Sequence, residues 1–180
     1  MAADVFVVVA GLPGSGKTSL ARPLARELGL PLLSKDTVKE ALFDVLGTGD
    51  LEWSQTLGRA SHRVMYALAG ESHGAVLESH FWRGLSEPDL LGLGSPIIQV
   101  YCRCPVELAV ARYYDRAASP ERHPGHLPEH QSDEVTRTWR ESEPAPLDLG
   151  GPLIEVDTTA ALDAFLIADL VVRVREFWPE

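Results

Sequence analysis

Lys17 and Thr18 close an eight-residue stretch, "GLPGSGKT", that begins at Gly11 and carries a further glycine at Gly16. Glycines there let the backbone curl so that successive N–H groups point at phosphate oxygens. A helix starting behind the loop adds its positive dipole end. Lys17 is then placed to reach the β and γ phosphates of a nucleotide, and the Thr18 hydroxyl to ligate Mg²⁺. Pro13, Gly14, Ser15 and Ser19 fill out the nucleotide-binding set. A glycine-rich turn with an incidental Lys-Thr would need neither the apolar run before it, "VFVVVA", nor an amphipathic helix after it. Both are present, so the stretch reads as a phosphate loop. Where the terminal phosphate goes is the next question: to water, to another compound, or nowhere.

The elements that must hold this loop follow from hydrophobic pattern. Five apolar runs, at residues 4–10, 31–34, 75–79, 96–102 and 153–157, alternate with helical patterns. Near-continuous apolar strands predict a parallel sheet covered on both faces. The first helix starts near Lys17, with Ala21, Leu24, Ala25 and Leu28 on one face, and Gly29 followed by Pro31 stops it. A second is expected over 37–46, with Val38, Ala41, Leu42 and Val45 inward and a capping box of Thr37 and Glu40 at its start. Others are expected over 55–70, from Pro105 onward with Val106, Ala109, Val110 and Tyr113 on one face, near 131–141, and over 160–177. The alternation implies a three-layer α/β fold of the P-loop NTPase type, a five-stranded parallel sheet flanked by helices. Residues 117–130, "AASPERHPGHLPEH", break the pattern and read as a small lid; residues 142–152 read as a loop returning to the last strand.

The 180 residues are read as one domain, 1–180, long enough for a full core. A formal net charge of −10 argues against nonspecific nucleic-acid binding, which depends on many Lys and Arg. The apolar N-terminal run is too short to span a bilayer and lacks a basic leader, so neither a membrane anchor nor a signal peptide is expected. Cys102 and Cys104, in "VYCRCP", share one strand face and read as reduced residues of a cytoplasmic protein.

Four segments, "GLPGSGKT", "LLSKDTVKEAL", "AVLESHF" and "ELAVARYYDR" running into "ERHPGH", occur in order over most of the chain. Together they resemble small P-loop kinases of the nucleoside-monophosphate-kinase-like group. The pattern is most similar to bacterial ATP-binding proteins that group with chloramphenicol phosphotransferase and the kinase domain of polynucleotide kinase. The resemblance implies ATP with Mg²⁺ as the phosphoryl source and a hydroxyl of a small molecule, such as an antibiotic, sugar or nucleoside, as acceptor. Two alternatives stay open. One is a nucleotide or polynucleotide 5′-end as acceptor, the polynucleotide version weakened by the acidity of the chain. The other is an ATPase or switch acting through a protein partner, which needs a water-positioning residue that the sequence does not offer.

The resemblance also implies roles. Asp36, at the carboxyl edge of the second strand, would take the proton of the acceptor hydroxyl; capping the following helix is the competing reading. Lys39 is either a substrate contact or a solvated lysine. Glu78 ends the third strand where the resembling kinases more often have aspartate; it would hold the Mg²⁺ shell, contact substrate, or simply pair with a Lys or Arg. His80 follows as a pocket residue. Arg112 and Arg116 share a helix face, and the resembling kinases bring arginines here over the nucleotide and the transferring phosphoryl group; surface pairing with Asp115 or Glu107 is the alternative. Arg122 joins them. His123, His126 and His130 have the look of a zinc set, but no fourth ligand follows at a familiar spacing; His123 and His126 are read instead as contacts to nucleotide or substrate. Trp53, Tyr66, Phe81 and Trp82 are core or acceptor-pocket aromatics.

Overall fold

The computed structural model describes residues 4–120, 122–126, 133–141 and 144–178. Its centre is β1 (Val5–Ala10), every residue of which is buried. The sheet is ordered β2-β3-β1-β4-β5 and all its pairings are parallel, with β2 (Leu32–Ser34), β3 (Gly74–Glu78), β4 (Ile97–Arg103) and β5 (Leu153–Asp157) at or next to the expected positions. β1 is buried on both faces because its side chains alternate between two cores. Val5, Val7 and Val9 meet Leu20 and Leu24 of α1 (Lys17–Leu28) and Leu170 and Val174 of α7 (Ala164–Glu176). Phe6, Val8 and Ala10 meet Met65 and Ala69 of α3 (Leu51–Gly70) and Leu90 of α4 (Glu87–Leu91), a short helix that the sequence pattern did not suggest. A third cluster seats Leu12 of the phosphate loop against Ala109, Val110 and Tyr113 of α5 (Val106–Ala117) and Trp139 of α6 (Asp133–Glu141).

Register places the site. Val9 pairs with Glu78 and Ser34 pairs with Glu78, so the carboxyl ends of β1, β3 and β2 lie side by side where the phosphate loop leaves the sheet. α1 begins after Gly16 and stops at Gly29, whose left-handed backbone returns its N–H to Ala25 and Arg26, as the sequence predicts.

α2 (Lys35–Leu46) departs from expectation at both its start and its face. It follows β2 with no intervening loop, two residues earlier than predicted, and no side chain caps its first turn. The capping box is not used because Glu40 faces His126 and Arg122 instead of the helix start. Its buried residues are Lys39 and Phe43, not Val38, Ala41, Leu42 and Val45; Val45 is 82% exposed. The physical reason is position. α2 packs on α3 and on the segment 122–126, so its inward face follows those neighbours and not the sheet. α3 also starts earlier than expected, at Leu51, where the Asp50 carboxylate accepts from the Trp53 N–H; α7 starts later, at Ala164, capped by Asp163. Cys102 is buried and Cys104 partly so; both are free thiols, and burial pushes Cys102 up to about 12. No helix among the described residues is long and apolar enough to cross a membrane.

Candidate active site

The phosphate loop is held by close backbone approach. Gly14 has φ 80°, and a Cβ there would collide with the Ala109 carbonyl, so the turn of α5 sits directly on the loop. Lys17 is buried and its Nζ donates to the Leu12 carbonyl at 2.6 Å. Burial lowers its pKa, and the Glu78 carboxylate opposes that shift. The Thr18 hydroxyl donates to Glu78 Oε1 at 3.2 Å and the Ser34 hydroxyl to Glu78 Oε2 at 2.7 Å. Glu78 is therefore engaged by two hydroxyls, not by a Lys or Arg ion pair among the described residues. A buried carboxylate beside a hydroxyl at the loop's end is a hard-oxygen donor set that suits Mg²⁺.

Asp36 stands one turn from this cluster. Its oxygens meet Lys35 Nζ at 3.1 Å and Arg122 Nη1 at 3.5 Å. Burial pushes its carboxyl up, but Lys35, His126 and Arg122 outweigh that and hold it well below the usual carboxylate range. Asp36 does not cap α2, so the sequence alternative of a capping role has no bond to support it. Lys39, buried on the next turn, donates to Ser54 Oγ at 2.8 Å and lies 5.2 Å from the Phe43 ring centre. Burial, reinforced by Lys35, lowers its pKa to about 8.

The arginines divide. Arg112 donates to the carbonyls of Thr158 and Thr159 at 2.8 and 2.7 Å, clamping the turn after β5. Glu107 is taken by Arg140 at 2.7 Å, so it does not pair with Arg112. Arg116 makes no hydrogen bond or ion pair among the described residues and points along the same cavity wall. Arg122 lies over Asp36 and Glu40 from the segment after α5. That segment docks on α2: His123 stacks on Phe43 at 5.3 Å and meets Asp44 at 3.2 Å, and His126 donates from Nε2 to Glu40 at 2.9 Å. Burial lowers the His126 pKa to about 3, so it is neutral. Glu121 and residues 127–130 of the expected lid, His130 included, lie outside the described residues.

His80 sits behind the loop. Its Nδ1 donates to the Gly11 carbonyl at 3.3 Å, and burial together with Lys17 lowers its pKa to about 4. Its Nε2 and the indole N–H of Trp139 are buried without partners among the described residues. The sequence reading missed Lys35, Arg59, His62 and Trp139, all of which line the same cavity. One signal was available: Ser54, Gly58 and His62 recur every four residues, a small polar face on a long helix. His62 is hydrogen-bonded to Ser79 at 2.8 Å. Of the aromatics named from sequence, Trp82 lines the cavity, Phe81 is core, and Trp53 bonds the Gly47 carbonyl at the start of α3.

Lys17, Thr18, Asp36, Lys39, Glu78, His80, Arg112, Arg116, Arg122 and His126 face one cavity of about 1060 Å³, running from Gly14 past Asp36 to Ser54 and Gly58; Gly11, Ser15 and His123 are not part of its lining. A parallel sheet of this order, with a phosphate loop between its central strand and α1, is the fold of a P-loop kinase. The chain belongs to the AAA domain family, whose profile matches residues 6–141. It is similar to a provisionally named kinase from Chloroflexus aurantiacus J-10-fl, 34% identical, with 97% of this chain and 98% of that one covered and a TM-score of 0.87. Shikimate kinase from Bacteroides thetaiotaomicron shares the fold, at 18% identity over 96% of this chain and 97% of that one with a TM-score of 0.58. A gluconokinase from Sinorhizobium meliloti 1021 does so at 16% identity over 98% of each chain and a TM-score of 0.53. Cytidylate kinases of Pyrobaculum match in part: that of P. neutrophilum is 45% identical over 89 residues, 47% of this chain and 48% of the relative. The chain thus spans about half the length, or less, of the curated relatives it matches.

Proposed function

We propose that this protein transfers the γ-phosphoryl group of ATP to a hydroxyl of a small molecule. The observation that carries the proposal is the position of Asp36, an ionised carboxylate in the same cavity as the phosphate loop, held down by Lys35 and Arg122. The acceptor hydroxyl binds against Asp36 and its oxygen attacks the γ phosphorus. The new O–P bond forms as the bond to the β-γ bridging oxygen breaks. The proton passes to Asp36, and ADP leaves with the bridging electrons. The loop residues Gly11, Pro13, Gly14, Ser15, Gly16, Lys17, Thr18 and Ser19 hold the phosphates. Lys17, Arg116 and Arg122 meet the charge that spreads over the transferring oxygens, and Arg112 keeps the nucleotide-side turn in place. Thr18 and Glu78 would hold Mg²⁺, which neutralises phosphate charge when bound. Lys39, Glu78, His80 and His126 surround the acceptor, His123 supports them from behind on Phe43, and the described residues 122–126 close over this end.

A second reading makes the acceptor a nucleoside monophosphate, favoured by the partial match to cytidylate kinases. Asp36→Asn tests the hydroxyl version, because the asparagine keeps the shape and removes the base; a phosphate acceptor is already ionised and would be far less affected. ATP affinity should hold while phosphoryl transfer falls by roughly 10²- to 10⁴-fold. A variant that turns over normally would remove Asp36 from the chemistry.

A further inference from the structure

The cavity has the opposite charge from the chain. Among the described residues, seven of the 16 Lys and Arg side chains line it, against two of the 26 acids, in a protein of formal net charge −10. These cations fall into two groups. Lys17, Arg112 and Arg116 stand at the phosphate loop; Lys35, Lys39, Arg59 and Arg122 stand at the end formed by α2, α3 and residues 122–126. Lys17 feels Glu78, Asp36 and Arg116, whereas Lys39 feels Lys35, Asp36 and Arg122, so Asp36 is the charge common to both. Arg122 also feels Arg116, so the two groups adjoin, and the proposed reacting carboxylate faces both.

At the far end the cations outnumber what the protein offers them. Lys35 and Arg122 share Asp36, and Arg122 also reaches Glu40. Lys39 has no such partner. It is 5% exposed, and its ammonium has the neutral Ser54 hydroxyl and the face of Phe43, with no ion pair among the described residues. Burying an ammonium without a counter-ion is costly unless something else supplies the negative charge. The approach to it is open on the α3 side. Gly58 presents no side chain there, and a Cβ at that position would lie 3.9 Å from Lys39 Nζ. Arg59, the next residue, is exposed at the rim and, among the described residues, hydrogen-bonds Thr56 alone.

We infer that the phosphoryl acceptor is itself an anion: a hydroxy compound bearing a carboxylate or phosphate group that seats against Lys39, with Arg59 at its rim and its hydroxyl toward Asp36. This deepens the kinase reading and rests on it for the word acceptor, though the anion site can be measured by itself. An anion at Lys39 supplies the missing counter-charge, and Ser54 and Gly58 leave it room. A neutral sugar or alcohol would leave the ammonium unpaired.

The test uses the full chain and matched compounds: glucose, gluconate and glucose 6-phosphate; cytidine and cytidine monophosphate. One arm measures phosphoryl transfer with Mg·ATP. The other measures binding calorimetrically with the nucleotide end saturated by a non-hydrolysable Mg·ATP analogue. Anionic members should be preferred over their neutral twins, and the carboxylate and phosphate pairs separate the two anion sources. Lys39→Met should weaken the anionic member about 10- to 100-fold in KM or Kd, with the KM for ATP unchanged. Arg59→Gln, an exposed site where folding is not at stake, should weaken it about 2- to 5-fold. A neutral compound phosphorylated as well as its anionic twin, and indifferent to Lys39→Met, would overturn the anion site while leaving the kinase reading intact. Anion binding that Lys39→Met abolishes, with no compound phosphorylated, would uphold the site and overturn the kinase reading. No anion binding in either arm would overturn the inference.

Discussion

The two ends of the cavity are built by different physics. At the phosphate loop, positions are set by backbone contact and by hydrogen bonds between one charged and one neutral group: Gly14 under the Ala109 carbonyl, Lys17 on Leu12, and Thr18 and Ser34 on Glu78. At the other end, charged side chains from α2 and residues 122–126 balance one another: Lys35 and Arg122 on Asp36, Arg122 on Glu40, and Lys39 with no carboxylate. The first end is one rigid turn that binds what every nucleotide shares. The second is an assembly of separate pieces, whose charge balance would be completed by the acceptor proposed above. On that proposal, phosphate recognition is local in the chain and acceptor recognition is distributed over it.

Perturbing the loop should have the largest effect. Lys17→Ala should abolish transfer without unfolding the protein, measured by ADP release beside a thermal melt; undiminished turnover would refute its role. Gly14→Ala adds a Cβ where the Ala109 carbonyl already sits and where φ is 80°, so a stability loss of about 1–3 kcal/mol is expected from backbone strain alone. Glu78→Gln keeps the side chain's shape and one of its two acceptor oxygens but removes the charge. The Mg²⁺ concentration needed for half-maximal transfer should rise roughly 10- to 100-fold, read from a metal titration.

Changes at the far end should reduce transfer less than changes at the loop and leave the KM for ATP unaltered. Phe43→Ala removes the ring under His123, His126 and Gly125 and should cost about 3 kcal/mol in denaturant unfolding, the low end for a large-to-small change at a buried ring. The subtlest test is pH. Lys39 has its pKa lowered from 10.5 to about 8, so it is cationic at neutral pH and loses its charge as pH rises through about 8. Lys35 and Asp36 on α2, His62 on α3 and Arg122 face the same space; Asp36 is held ionised across this range. The KM for an anionic acceptor should therefore climb between about pH 7 and pH 9 while the KM for ATP stays flat. Lys39→Arg should remove that climb, since a guanidinium keeps its proton.

The same contrast explains what could be read from the sequence. The strands, the phosphate loop and the stop of α1 at Gly29 were legible because each is a local pattern of neighbours in the chain. Asp36 was legible as a residue at a strand end, because the end of a parallel strand faces the ligand whatever follows it. The face of α2 was not. Apolar period pointed to Val38, Ala41, Leu42 and Val45, yet α2 packs on α3 and on residues 122–126, and a lysine with a phenylalanine went inward. Arg112 and Arg116 looked equivalent by spacing, but the Thr158 and Thr159 carbonyls lie beside only the first. Arg59 carries no local signal, and His62 carries only its place four residues after Gly58. They became part of the site when the α3 face of Ser54 and Gly58 was laid against Lys39.

The most direct test of the central claim is ADP release with Mg·ATP, alone and with single compounds from a panel of hydroxy acids, phosphorylated sugars, nucleosides, nucleotides, neutral sugars, amino alcohols and antibiotics. Mass spectrometry would follow on every compound that stimulates. The account predicts strong stimulation by an anionic hydroxy compound and a product heavier by one phosphoryl group. ADP release at a steady rate that no compound changes would contradict it, and would leave a nucleotide hydrolase in place of a kinase.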